Sequence, residues 1–87
     1  MANVLLNKAC KVYNGSTLDR ELPCRLRKRE KRELQFSNIK SDYALYMNKK
    51  DYSNIKRFQV ENQNYIVVSS LDLGTNGYIC LYCNREK

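Results

Sequence analysis

From Ser41 to its end the chain is almost continuous strand signal cut by short turns. The runs Ser41–Met47, Lys56–Glu61, Asn64–Leu71 and Gly77–Cys83 are rich in Tyr, Val, Ile and Phe, and clusters of Asn, Asp and Gly separate them. β-branched and aromatic side chains suit a pleated, half-buried surface, and the intervening residues suit turns, so this half is read as strands. An all-β module of 87 residues has little room for a catalytic pocket. It more naturally offers surfaces and strand edges to partners.

The first half adds two strands and one ambiguous stretch. Lys8–Tyr13 is expected to be the first strand, with Asn14-Gly15-Ser16-Thr17 as its turn. Leu18–Leu22 reads as a polar connection. Leu22-Pro23-Cys24-Arg25-Leu26-Arg27 alternates Leu22, Cys24 and Leu26 against Arg25 and Arg27, the pattern of a half-buried strand with one basic face. Pro23 cannot donate to a ladder and is expected at the strand's start or on an edge. Between Lys28 and Lys40 the apolar residues Leu34 and Phe36 are spaced by two, so no helical stripe emerges. Arg27–Lys40 is therefore read as a long, mobile, basic loop; a short strand at Leu34–Phe36 or a short helix are the alternatives.

In the second half, Tyr43, Leu45 and Met47 should share one face of their strand and Ala44 and Tyr46 the other. Asn48–Asn54 is a polar loop. Arg57–Val60, a turn at Glu61–Asn64 and Tyr65–Val68 form a β-hairpin. Tyr65–Val68 is apolar on both faces and so reads as a central strand. Asp72–Asn76 is the next turn, and Asn84–Lys87 a charged tail. The sum is one domain, residues 1–87, all-β: a small barrel or sandwich of about six antiparallel strands with one long basic loop. Cys24, Leu26, Leu45, Phe58, Val60, Ile66, Val68, Ile79 and Leu81 are expected in its core.

Charge narrows the partners. Sixteen Lys and Arg stand against nine Asp and Glu, for a net charge of +7. Arg25–Arg32 alone holds six positive residues and one negative in eight. That excess favours a polyanion or an acidic partner, although a solvated face carries charge too. Met1–Leu6 offers only Val4-Leu5-Leu6 as an apolar stretch, so no secretory leader is expected, and no run approaches the ~20 apolar residues of a membrane helix. The expectation is a soluble protein made in a cytosol, with no membrane partner.

Cys10, Cys24, Cys80 and Cys83 are expected to be unbridged and free of metal. Zinc knuckles place paired cysteines on tight turns. Cys80-Leu81-Tyr82-Cys83 instead lies in a strand, where positions three apart face opposite sides of the sheet. A redox motif needs a helix after its first cysteine, and none is expected there. All four are expected to serve as small buried hydrophobes. The chain has no His, and its three glycines form no phosphate loop. No cofactor, metal or catalytic activity is expected. Single-strand-binding barrels combine a basic groove with stacking aromatics, and seven Tyr fit that recipe in composition. The basic run itself contains no aromatic, which favours core or subunit interfaces for these tyrosines.

The order of elements resembles the small head-completion proteins of tailed bacteriophages, also called head-closure or stopper proteins. The resemblance runs from about Cys10 to Arg85. It rests on Val12-Tyr13-Asn14-Gly15, Leu22-Pro23-Cys24-Arg25 and Ser41-Asp42-Tyr43-Ala44-Leu45-Tyr46, then the Ile55–Val68 block ending in Tyr65-Ile66-Val67-Val68, and a last strand closing on Arg85. Ile55-Lys56-Arg57 departs from the pattern, which commonly has Gly-Asp there. The resemblance implies a β-barrel in a homo-oligomeric ring of 12 or 6, located in the virion as part of the head–tail connector. It implies a portal-adaptor protein above, a tail or tail-completion protein below, and packaged double-stranded DNA in the channel. A loop that projects into the channel in several members corresponds by position to Arg27–Lys40, making Arg27, Lys28, Arg29, Lys31 and Arg32 the candidates for facing DNA. Docking of that loop on an acidic neighbour and a solvated outer rim are the alternatives. A phage- or plasmid-encoded barrel that binds nucleic acid or inhibits a host protein is the alternative function.

Overall fold

A computed structural model describes residues 6–14, 17–36, 38–74 and 77–86. Six strands, β1 (Lys8–Asn14), β2 (Thr17–Lys28), β3 (Tyr43–Asn48), β4 (Arg57–Val60), β5 (Gln63–Asp72) and β6 (Tyr78–Arg85), close into an antiparallel barrel in the order β1-β2-β3-β6-β5-β4. One short helix, α1 (Lys31–Phe36), follows β2, and a 3-10 turn, Lys49–Asp51, follows β3. Among the described residues no helix is long and apolar enough to cross a membrane. The expected all-β class and strand number hold, and the barrel replaces the sandwich alternative.

Closure depends on a narrow seam. β1 meets β4 through Lys11 opposite Gln59 and Val12 opposite Phe58. Phe58 is fully buried, and its ring stacks on Tyr65 at 5.3 Å with the planes 13° apart. Around them the core collects Cys10, Val12, Leu22, Cys24, Leu45, Met47, Ile55, Val60, Ile79, Leu81 and Cys83, with Leu26 partly buried against it. Apart from Ile55, which precedes β4, these are the alternate strand positions that a period of two sends inward.

Ile66 and Val68 break the expectation. They are 46% and 51% exposed, and Tyr65 and Val67 take the inward positions instead. Tyr65 pairs with Phe58 across the β4–β5 ladder, so burying the larger ring fixes the strand's parity. The register then shifts between Val67 and Ser69, a bulge that carries β5 onward against β6 alone.

One connection and one turn also differ from expectation. Leu18–Leu22 is not a connection: it lies within β2, paired with β1 through Leu18 opposite Tyr13 and Leu22 opposite Cys10. Polar residues there occupy a two-stranded extension, where ladder bonds rather than burial hold the backbone extended. The β4–β5 turn is two residues long, Glu61 and Asn62, both at positive φ (50° and 66°), and Gln63 and Asn64 already belong to β5. That pair of left-handed residues matches the twist of a tight hairpin. Pro23 sits inside β2 opposite Ala9, but the β2–β3 ladder starts only at Cys24 opposite Met47, so its missing N–H falls beside the point where β2 gains its second neighbour. The Asn14–Thr17 and Asp72–Asn76 turns include Gly15, Ser16, Thr75 and Asn76, and the leader reading includes Met1–Leu5; these residues lie outside those described.

Candidate docking surface

The basic stretch is built into the barrel rather than looped away from it. Arg27 and Lys28 are the last residues' worth of β2, and α1 occupies Lys31–Phe36, so the short-helix alternative replaces the long mobile loop. Arg27, on the outer face, donates from Nη1 and Nη2 to the two carboxylate oxygens of Glu33 at 2.5 and 3.1 Å, and from Nη2 to the Tyr46 hydroxyl at 3.2 Å. Glu33 also accepts from the Glu30 N–H at 3.4 Å, and the Leu34 N–H donates to the Glu30 carbonyl at 3.2 Å. A local Glu side chain thus satisfies the start of a helix too short to be stable alone.

Arg29 is buried. Its Nη1 donates to the carbonyls of Ile39 and Ser41 and to Ser41 Oγ at 2.9–3.2 Å, and its guanidinium lies 4.7 Å from the Tyr82 ring centre. The Arg29 N–H donates to the Asp42 carbonyl at 2.7 Å. Arg29 therefore braces the segment entering β3, and Arg27 pins α1 to the sheet. Of the five candidate cations, only Lys28, Lys31 and Arg32 are exposed and without an ion pair among the described residues.

The bond to Arg27, aided by the Glu30 N–H and the nearby Arg29, holds the Glu33 carboxyl down at about 2. A depressed carboxyl stabilises the fold fully above its unfolded value and loses that contribution as pH falls through the folded one. Attachment of α1 should therefore hold at neutral pH and weaken between about pH 4.5 and 2. Glu33→Gln should speed amide exchange across residues 31–36 roughly fivefold at pH 7 while leaving the barrel's melting temperature nearly unchanged. Hydrogen exchange read by NMR checks this; protection equal to that of the parent chain would show that Glu33 does not pin the helix.

At the barrel mouth where β2 and β6 end, an open cleft of about 760 Å3 lies between the end of β2, α1, the approach to β3 and the end of β6. Lys28, Lys40 and Arg85 supply its positive charge, and Leu34, Ile39 and Tyr43 its apolar walls. Sequence reasoning singled out Lys28 and missed Arg85, which stands 45 positions beyond Lys40 and reaches it only because β3 pairs with β6, Tyr43 opposite Cys83. A second surface lies along β5. Ile66, Val68 and Leu71 are each about half exposed. β4 accompanies β5 only as far as Ile66, with one further bond from the Val67 N–H to the Lys56 carbonyl. Beyond it, the β4-side backbone edge of β5 has no strand partner among the described residues.

The cysteines are all buried and free of disulfides. Cys83 enters the core, whereas Cys80 lies on the other face beside Tyr46 and Tyr82, so the two do face apart. Burial pushes the Cys83 thiol up to about 12 and raises Cys80; a hydrogen bond with Cys10, with burial, raises Cys24. These three are neutral thiols at physiological pH, not activated nucleophiles. Among the described residues no three His, Cys, Asp or Glu side chains gather where they could hold a metal ion.

No protein-family model matches the chain, and no curated protein matches it.

Proposed function

We propose that this chain is a structural subunit of a tailed-phage virion, a head-completion ring protein that joins the portal-adaptor complex to the tail and helps retain packaged DNA. The observation that carries the reading is the apolar strip Ile66, Val68 and Leu71 beside the half-free edge of β5. A closed barrel has few edges to offer, and an unpaired backbone next to exposed apolar side chains is a site for a neighbouring protein. A ring uses head-to-tail contacts of this kind, and a small domain gains stability by mass action when its copies bind. The order of sequence elements that resembles head-completion proteins supports the same reading, as does the basic mouth, where Lys28, Lys31 and Arg32 would meet DNA phosphates or an acidic neighbour. The role is one of contact rather than catalysis.

Mass spectrometry and antibody labelling of purified particles test this. The chain should co-purify with virions in multiple copies and be labelled at the neck between head and tail. Its absence from particles while abundant in the infected cell would favour the alternative, a small barrel that binds nucleic acid or inhibits a host protein.

A further inference from the structure

We infer that the cleft at the mouth formed by the ends of β2 and β6 is a docking site for an acidic peptide segment that carries an apolar anchor, contributed by a partner protein. The inference stands on the cleft alone and does not depend on the ring.

The available groups in the cleft fix the chemistry. Two acids line it, but Glu86 is held by Arg57 through two bonds of 2.7 Å, which leaves Asp42 against Lys28, Lys40 and Arg85. The two amides are committed as well. Asn84 accepts from the Asp42 N–H and donates to the Lys40 carbonyl, and Gln63 donates to the Asn64 and Glu86 carbonyls. A ligand therefore meets net positive charge and the apolar side chains of Leu34, Ile39 and Tyr43. Carboxylates spaced along a peptide answer the first, and an aliphatic side chain between them answers the second.

Nucleic acid fits less well. Duplex phosphates bring charge but no apolar group to enter the cleft. An unpaired base needs a bare aromatic face, and Tyr43 lacks one: the Arg85 guanidinium lies 5.5 Å over its ring, and Tyr65 meets it edge-on at 5.3 Å and 71°. The walls are also preformed. Arg29 ties down the carbonyls of Ile39, Ser41 and Asp42, so little ordering is left to oppose binding.

The test uses the full chain and a short fluorescein-labelled peptide alternating glutamate with leucine, followed by anisotropy and by amide chemical shifts at low salt. Saturable binding with a Kd below about 1 mM is expected, with shift changes centred on Leu34, Ile39–Tyr43 and Arg85. The triple variant Lys28→Ala, Lys40→Ala, Arg85→Ala should bind at least about tenfold more weakly, whereas Lys11→Ala with Lys56→Ala, exposed elsewhere, should bind as the parent does. A glutamate–serine peptide should bind several-fold more weakly than the glutamate–leucine one. Should the triple variant not fold, Lys28→Glu and Lys40→Glu singly give the same reading. The inference is overturned by absent saturation, by equal binding of the serine peptide, by equal loss in the control variant, or by an oligonucleotide, single- or double-stranded, that binds the cleft more tightly than the peptide.

Discussion

Phe58→Ala should leave the chain unfolded or barely folded at room temperature. Phe58 is fully buried, stacks on Tyr65 and stands opposite Val12 in the seam that closes the barrel. Truncating a buried Phe costs about 3–5 kcal/mol in lost transfer energy and cavity. At roughly 0.05–0.15 kcal/mol per residue, a domain of this length has only about 4–13 kcal/mol to lose, and small domains sit toward the low end. A seam of two register pairs also has little to redistribute the loss. In urea, the unfolding midpoint should fall by about 3 M if the slope is near 1 kcal/mol/M, or the transition should vanish. Val60→Ala, also buried but away from the ring stack, should shift it by less than half as much. A Phe58→Ala midpoint within about 0.5 M of the parent would mean that the barrel does not close through this side chain.

Ile66→Glu with Val68→Glu should do the opposite, sparing the isolated chain and abolishing its assembly. Both side chains are about half in solvent, so the direct cost to the fold should stay below about 1 kcal/mol per site. At an interface the same changes would place two desolvated charges among apolar contacts, and the loss of paired hot spots is worth on the order of 100-fold in binding or more. Circular dichroism should show an unchanged spectrum and a melting temperature within a few degrees of the parent. Incorporation of the double variant into particles should fall by at least about 100-fold. Normal incorporation would remove the β5 strip from the interface.

Much of this fold is legible in local pattern. Leu22, Cys24 and Leu26 alternate against Arg25 and Arg27, and the structure keeps that parity; β3 likewise sends Leu45 and Met47 inward. Parity fails at Tyr65–Val68 because four consecutive apolar residues carry no alternation, and only the cross-strand partner Phe58 decides which pair is buried. The Leu18–Leu22 strand was hidden for the converse reason: its polar side chains give no apolar period, and pairing with β1 supplies the order. The basic stretch shows the limit most clearly. Its charge is plain in the sequence, but Arg29 is buried through carbonyls of Ile39 and Ser41, and Arg27 through Glu33 and Tyr46 is committed to holding α1. The short helix has no hydrophobic stripe, so its signal lies in those arginine contacts. Lys40 and Arg85 come together only through barrel topology, which spacing along the chain does not encode.

The most direct test of the ring proposal is the state of particles grown without this chain. Such heads should package DNA, fail to keep it and carry no tails, with infectivity and DNA retention both restored when the chain is supplied in trans. Tailed, DNA-filled, infectious particles lacking the chain would contradict it.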